Sequence, residues 1–93
     1  MREKDIEKKL VRAVLDEGGI CPKFTSPGTS GMPDRLILLP GGAFAFAEIK
    51  APGKVPQPLQ EARHRMLRRL GFKVYVIDSE DKIGGILRGI RTI

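Results

Sequence analysis

The sequence predicts an α/β fold in which helices flank a mixed sheet. Three observations carry the prediction. Two segments place apolar residues at helical spacing, one near the start of the chain and one beyond its middle. Short runs rich in β-branched and aromatic residues lie between and after them. Glycine and proline mark the junctions. The order that results is α-β-β-β-α-β-α, an architecture of helices packed on a sheet.

The elements follow in turn. Ile6, Leu10, Val11, Val14 and Leu15 recur at i, i+4, i+5, i+8 and i+9, one face of a helix from Lys4 that Gly18-Gly19 ends. Ile20 to Thr25 reads as a short strand, followed by a Gly-, Pro- and Ser-rich loop over residues 26–33. Asp34 to Leu39 and Ala43 to Lys50 read as strands joined by a hairpin around Gly41-Gly42. The loop from Ala51 to Pro58 holds three prolines, and Pro58 suits the first turn of the next helix. Leu59, Ala62, Met66, Leu67 and Leu70 mark that helix, which Gly71 stops. Phe72 to Ile77 is a strand. Ser79 is placed to cap a last helix with Ile83, Ile86, Leu87 and Ile90 on one stripe, although Gly84, Gly85 and Gly89 each weaken it by about 1 kcal/mol.

At 93 residues the chain is expected to form one domain, residues 1–93. Seventeen Lys and Arg against eleven Asp and Glu leave a formal charge of +6, which favours a polyanionic partner. One cysteine, Cys21, excludes an intrachain disulfide and a multi-cysteine zinc site, and suits a small buried residue in a reducing compartment. The charged first residues lack the apolar run of a signal peptide, and no segment approaches membrane-span length. A cytoplasmic location, bacterial or in a virus-infected host, is the expectation.

Within the hairpin the two strands carry charges at their outer ends: Asp34, Glu48 and Lys50. Side chains alternate along a strand, so register decides whether the two carboxylates meet. A two-residue turn at Gly41-Gly42 sets Asp34 against Ile49 and turns Glu48 away. A three-residue loop, Pro40-Gly41-Gly42, sets Asp34 directly opposite Glu48, with Cβ atoms roughly 4.5–5.5 Å apart. Two carboxylates that close repel unless a cation lies between them. Lys50 shares the face of Glu48. Such a cluster suits Mg²⁺, a hard cation that keeps several waters and aids phosphodiester hydrolysis. The plain alternative is a surface ion pair between Glu48 and Lys50, with Asp34 a turn residue.

The run GMPDRLIL over residues 31–38, EIK over 48–50 and Gln60 on the following helix resemble the PD-(D/E)xK nuclease superfamily, and most closely its virus-type replication-repair nuclease branch, VRR-NUC. The resemblance implies a restriction-endonuclease-like αβββαβ core. It implies Asp34 and Glu48 as metal ligands, with the backbone carbonyl of Ile49, and Lys50 as the catalytic lysine. Gln60 would support the site. An acid of the first helix would join it, with Glu7 the better match and Glu3 the competitor. Mg²⁺ or Mn²⁺ is the implied cofactor, and 5′-phosphate and 3′-hydroxyl ends the implied products. Short stand-alone members of the branch are linked to viruses and resemble Holliday-junction resolvases.

The expected function is therefore a metal-dependent, structure-selective DNA endonuclease acting on branched or duplex DNA. Lys8, Arg12, Lys54, Arg63, Arg65 and Arg68 are the expected phosphate contacts. His64, among arginines, reads as an exposed bystander. A homodimer is expected from the stripe Ile83, Ile86, Leu87, Ile90 and Ile93, which serves equally well to cover the sheet. The rival reading is a basic DNA-binding module that keeps the fold without catalysis.

Overall fold

The computed structural model describes residues 1–91. The first helix, α1, spans Glu3–Asp16 and buries Ile6, Leu10 and Val14, a strict i, i+4, i+8 row. Val11 packs partly on that row, while Leu15 falls outside it and stays half exposed. Glu3 and Asp5 lie in the first turn, where the helix dipole favours negative charge. The helix ends as Gly18 and Gly19 donate back to Leu15 and Val14 carbonyls. Gly19 is required by proximity: a Cβ there would sit 2.2 Å from the Leu38 carbonyl oxygen.

Three strands form one mixed sheet in the order β1 (Arg35–Leu38), β2 (Phe44–Ile49), β3 (Val74–Ile77). β1 and β2 are antiparallel; β2 and β3 are parallel. The parallel pair requires a crossover, and α2 (Pro58–Arg69) supplies it. The strand expected over residues 20–25 is reduced to two isolated bridges, Ile20 with Leu38 and Lys23 with Arg35. The reason is Pro22. Its carbonyl accepts from the Leu36 N–H at 3.0 Å, but it has no N–H to return, so the ladder breaks in the middle.

Alternation along β2 divides the interior. Ala45, Ala47 and Ile49 face α1 and α3 (Ile83–Arg91), in a core that also holds Ile6, Leu10, Val14, Ile37 and Ile77. Phe46 faces the α2 side, with Leu67 and Val74 buried beside it. All four phenylalanines pack edge to face there, with centroids 5.0–6.1 Å apart. Cys21 is buried in the first core, and burial pushes its thiol up to about 11, consistent with a packing role.

Ser79 caps as expected, its Oγ accepting from the Asp81 N–H, but it caps a short 3-10 turn, Glu80–Lys82, that leads into α3. On α3, Ile83, Leu87 and Ile90 are buried in the main core and Ile86 packs partly against it. The stripe offered as a dimer interface thus covers the sheet; Ile93 lies outside the described residues. No helix among the described residues is long and apolar enough to cross a membrane.

Leu87 is 1% exposed. Leu87→Ala is predicted to cost about 2–5 kcal/mol of folding stability in urea titrations. A loss under about 0.5 kcal/mol, the range of ordinary surface substitutions, would mean that the stripe does not close the core.

Candidate active site

The hairpin turn sets the site. Pro40–Gly42 forms a three-residue 3-10 turn, and both Gly41 (φ 83°) and Gly42 (φ 81°) take the left-handed backbone that glycine permits. Leu39 then pairs with Ala43, its N–H donating to the Ala43 carbonyl at 2.9 Å. The register runs Leu38 with Phe44 to Arg35 with Ala47. One step further outward brings Asp34 opposite Glu48, the arrangement of the longer loop and not of the two-residue turn.

Glu48 is 1% exposed. Burial above all, and then the hydrogen bond and charge of Asp34, push its carboxyl up to about 8; Lys50 offsets part of this. Near neutrality Glu48 therefore favours its protonated form. Asp34 is held from the other side by the Ile49 N–H, which donates to its Oδ2 at 3.1 Å. The loop leading into Asp34 is pinned on α2. Arg63 donates to the Ser30 carbonyl at 2.7 Å, and Gly31 (φ 84°) passes so near Leu59 that a Cβ would lie 2.8 Å from its Cγ.

α2 completes the cluster. Gln60 is its N3 residue: its Oε1 accepts from the Gln57 N–H at 2.8 Å, which aims its Nε2 at Glu48 Oε2, 3.2 Å away. The residue thus both caps the helix and reaches Glu48. His64 lies one turn on, 2% exposed, with Nε2 3.2 Å from Glu48 Oε1. It is not the exposed bystander expected from its arginine neighbours. Residues 60, 64 and 67 form one row toward the sheet, while Arg65, Arg68 and Arg69 turn outward. Burial, and then the Arg68 charge, push the imidazole below its ordinary range, so the ring is neutral at neutral pH. The tautomer sets the direction of this bond: a protonated Nε2 donates to the ionised carboxylate, and a bare Nε2 accepts from the protonated carboxyl. The signal in the sequence was the i, i+4 spacing of Gln60 and His64.

Lys50 extends β2 by donating its backbone N–H to the Ile77 carbonyl at 3.0 Å. Its charge acts on both Glu48 and His64. The donor set suits a hard divalent cation. Two acids so close that one retains its proton near neutrality are relieved by a positive ion between them. Magnesium sites commonly use one or two carboxylates and leave the other positions to water and substrate oxygens. Among the described residues no group of three or more His, Cys, Asp or Glu side chains is arranged to hold a metal, so the closed four-ligand site of a structural zinc is not formed.

Glu7 is not brought to this cluster. It is engaged by Arg35, whose Nε and Nη2 lie 3.1 and 3.0 Å from its Oε2, while Nη1 donates to the Cys21 carbonyl at 2.8 Å. The reason is alternation: Arg35 follows Asp34 and points to the opposite sheet face, toward α1. The first-helix acid whose charge reaches Glu48 is Glu3. The expected phosphate contacts also divide. Lys8 and Arg12 lie on α1, Arg12 paired with Asp16 at 3.1 Å. Arg63 and Arg68 hold backbone carbonyls, Arg68 at Val74. Lys54 is exposed on the loop after β2 and Arg65 on α2.

Two facing acids, a neighbouring lysine and a bracing helix on a mixed sheet are the arrangement that the sequence resemblance implied. No family profile matches the chain. It is 52% identical over 81 residues, 87% of each chain, to "Putative nuclease p44" of Acyrthosiphon pisum secondary endosymbiont phage 1. A solved "VRR_NUC domain" superposes with a TM-score of 0.85 at 28% identity, covering 95% of this chain and 97% of that one. A second, a "VRR_NUC domain protein", has a TM-score of 0.74 over 95% and 86% of the two chains and, at 19% identity, shares the fold. The chain belongs to the VRR-NUC family of nucleases.

The raised Glu48 carboxyl has a consequence for stability in EDTA. Its folded value, about 8, lies above the ordinary 4.5, so its contribution is complete below pH 4.5 and is lost as pH rises through 8. The parent should therefore lose melting temperature between pH 4.5 and about 8 relative to Glu48→Gln, which carries no titrating group at this position. Parallel melting curves across that range would show that Glu48 is already ionised.

Proposed function

We propose that this protein is a divalent-metal-dependent, structure-selective endonuclease that hydrolyses DNA phosphodiesters, with four-way junctions among its substrates. The observation that carries the reading is the opposition of Asp34 and Glu48 in the hairpin register, with Lys50 next on the same face. Residues 1–93 would act as one nuclease domain in the cytoplasm of a bacterial or virus-infected cell.

Asp34, Glu48 and the Ile49 carbonyl would hold Mg²⁺ or Mn²⁺. When bound, the cation supplies a more acidic water and neutralises charge building on the phosphodiester. Gln60 holds Glu48 through Oε2. Lys50 stands beside the two acids, where it would orient the attacking water and stabilise the charge that builds on the phosphoryl oxygens. Glu3 is better placed than Glu7 to act as the first-helix acid. The rival, a binding module without catalysis, is disfavoured because facing carboxylates repel a phosphate backbone unless a cation neutralises them.

The DNA backbone would lie along the carboxylate face, against Arg65 and Lys54; Lys8 and Arg12 are on the far face. Coordinated cutting of a four-way junction needs two active sites in fixed relation, which a two-fold dimer supplies. With the α3 stripe occupied by the core, that contact would use another surface.

The parent is expected to nick supercoiled plasmid with Mn²⁺ and to be silent in EDTA, and to favour branched over linear DNA in a substrate panel. Lys50→Ala should lower cleavage by about 100-fold or more with DNA affinity close to the parent's. Near-parental cleavage would remove Lys50 from the chemistry.

Arg65→Glu should weaken binding to every DNA shape and flatten the salt dependence, with the slope smaller by about one unit for the lost phosphate contact. An unchanged slope would place the DNA path elsewhere.

A further inference from the structure

The buried side of Glu48 is met by two polar side chains from a single helix. Gln60 takes Oε2 and His64 faces Oε1, both at 3.2 Å and one turn apart on α2. The terminal torsion of a glutamate is soft and roughly two-fold, so one donor leaves the plane of the carboxylate free to swing about the contact. Two hydrogen bonds, one on each oxygen, fix it. The row continues at Leu67, which is apolar and packs against Phe46 and Val74. The polar member stands where the row meets Glu48, and an aliphatic side chain would have filled the same space. His64 and Glu48 are the two buried polar or charged side chains among the described residues.

We propose that His64 is a positioning residue: its Nε2–H holds the Glu48 carboxylate in the orientation that binds the divalent cation shared with Asp34. The proposal rests on the metal-dependent reading above and adds a residue to it. Groups that orient metal ligands through a hydrogen bond typically contribute about 10–100-fold to metal affinity. His64 does so without touching substrate, so its effect belongs to metal binding and not to DNA binding.

His64 is the single histidine of the chain, so its ring nitrogens give an unambiguous pair of NMR signals. In the parent protein, Mg²⁺ should shift the Nε2–H signal in a saturable way while the Nε2-protonated tautomer persists. A ring indifferent to saturating Mg²⁺ would overturn the assignment without any substitution. In calorimetry, His64→Met should bind Mn²⁺ about 10–100-fold more weakly, and His64→Gln, which restores an N–H donor, should recover part of the loss. DNA affinity in EDTA should match the parent's in both. A folded His64→Met with parental Mn²⁺ affinity, or a His64→Gln no better than His64→Met, would overturn the role. A parent that binds no Mn²⁺ would overturn the metal-dependent reading and this role with it. A parent that binds Mn²⁺ and shows the His64 effects, yet nicks no plasmid, would overturn the nuclease activity and leave the positioning role in place.

Discussion

Everything at the candidate site depends on the hairpin register between β1 and β2. A strand repeats every two residues, so one residue more or less in the turn sends every side chain of one strand to the other face. Pro40, Gly41 and Gly42 set the longer turn, since two successive left-handed residues are tolerated there only as glycine. The same register that brings Asp34 to Glu48 sends Arg35 toward α1 and Ile37, Ala45, Ala47 and Ile49 into the main core. Site and core are thus two consequences of one turn, and a slip that spared the fold but lost the acidic pair is not available.

Burying Glu48 beside another acid carries a penalty that the surroundings divide between several groups. An unpaired buried carboxylate is expensive, and the usual response is a shift toward the neutral form. Glu48 makes that shift and the Lys50 charge offsets part of it, while Gln60 and His64 each meet one of its oxygens. Both come from α2 because its first turn is fixed in place: the Gln57–Gln60 cap orients the amide, and the Arg63–Ser30 bond ties the incoming loop to the same helix. Asp34, Glu48, Gln60 and His64 are held by backbone elements that brace one another.

The sheet also separates two kinds of charge. On the carboxylate face stands Lys50, with Arg65 exposed on α2 and Lys54 on the loop that leads into it. On the α1 face, Arg35 is committed to Glu7 and to the Cys21 carbonyl, and Arg12 to Asp16. Basic composition alone does not reveal this division. Several of the cations that make the chain strongly basic tie secondary-structure elements together, as Arg68 does at Val74 and Lys73 at the Gly89 carbonyl.

The sequence by itself determined the local elements and the chemistry of the hairpin. Helical periodicity located α1 and α2, Gly-rich junctions ended them, and Asp34, Glu48 and Lys50 stood out because charges at strand ends serve no core. These signals are local, written in spacings of two to four residues. Tertiary structure decided the rest, because the deciding contacts join residues far apart in the chain. The weak strand over residues 20–25 failed at Pro22, whose missing N–H matters only once β1 lies beside it. The α3 stripe could be core or interface until the sheet was seen to occupy it. That Glu7 is engaged by Arg35 emerged only once α1 packed on the sheet face to which Arg35 points. His64 looked like one more polar residue on a basic helix; the phase of α2 against β2 turned it inward to Glu48, and no spacing within the helix could show which side the carboxylate would be on.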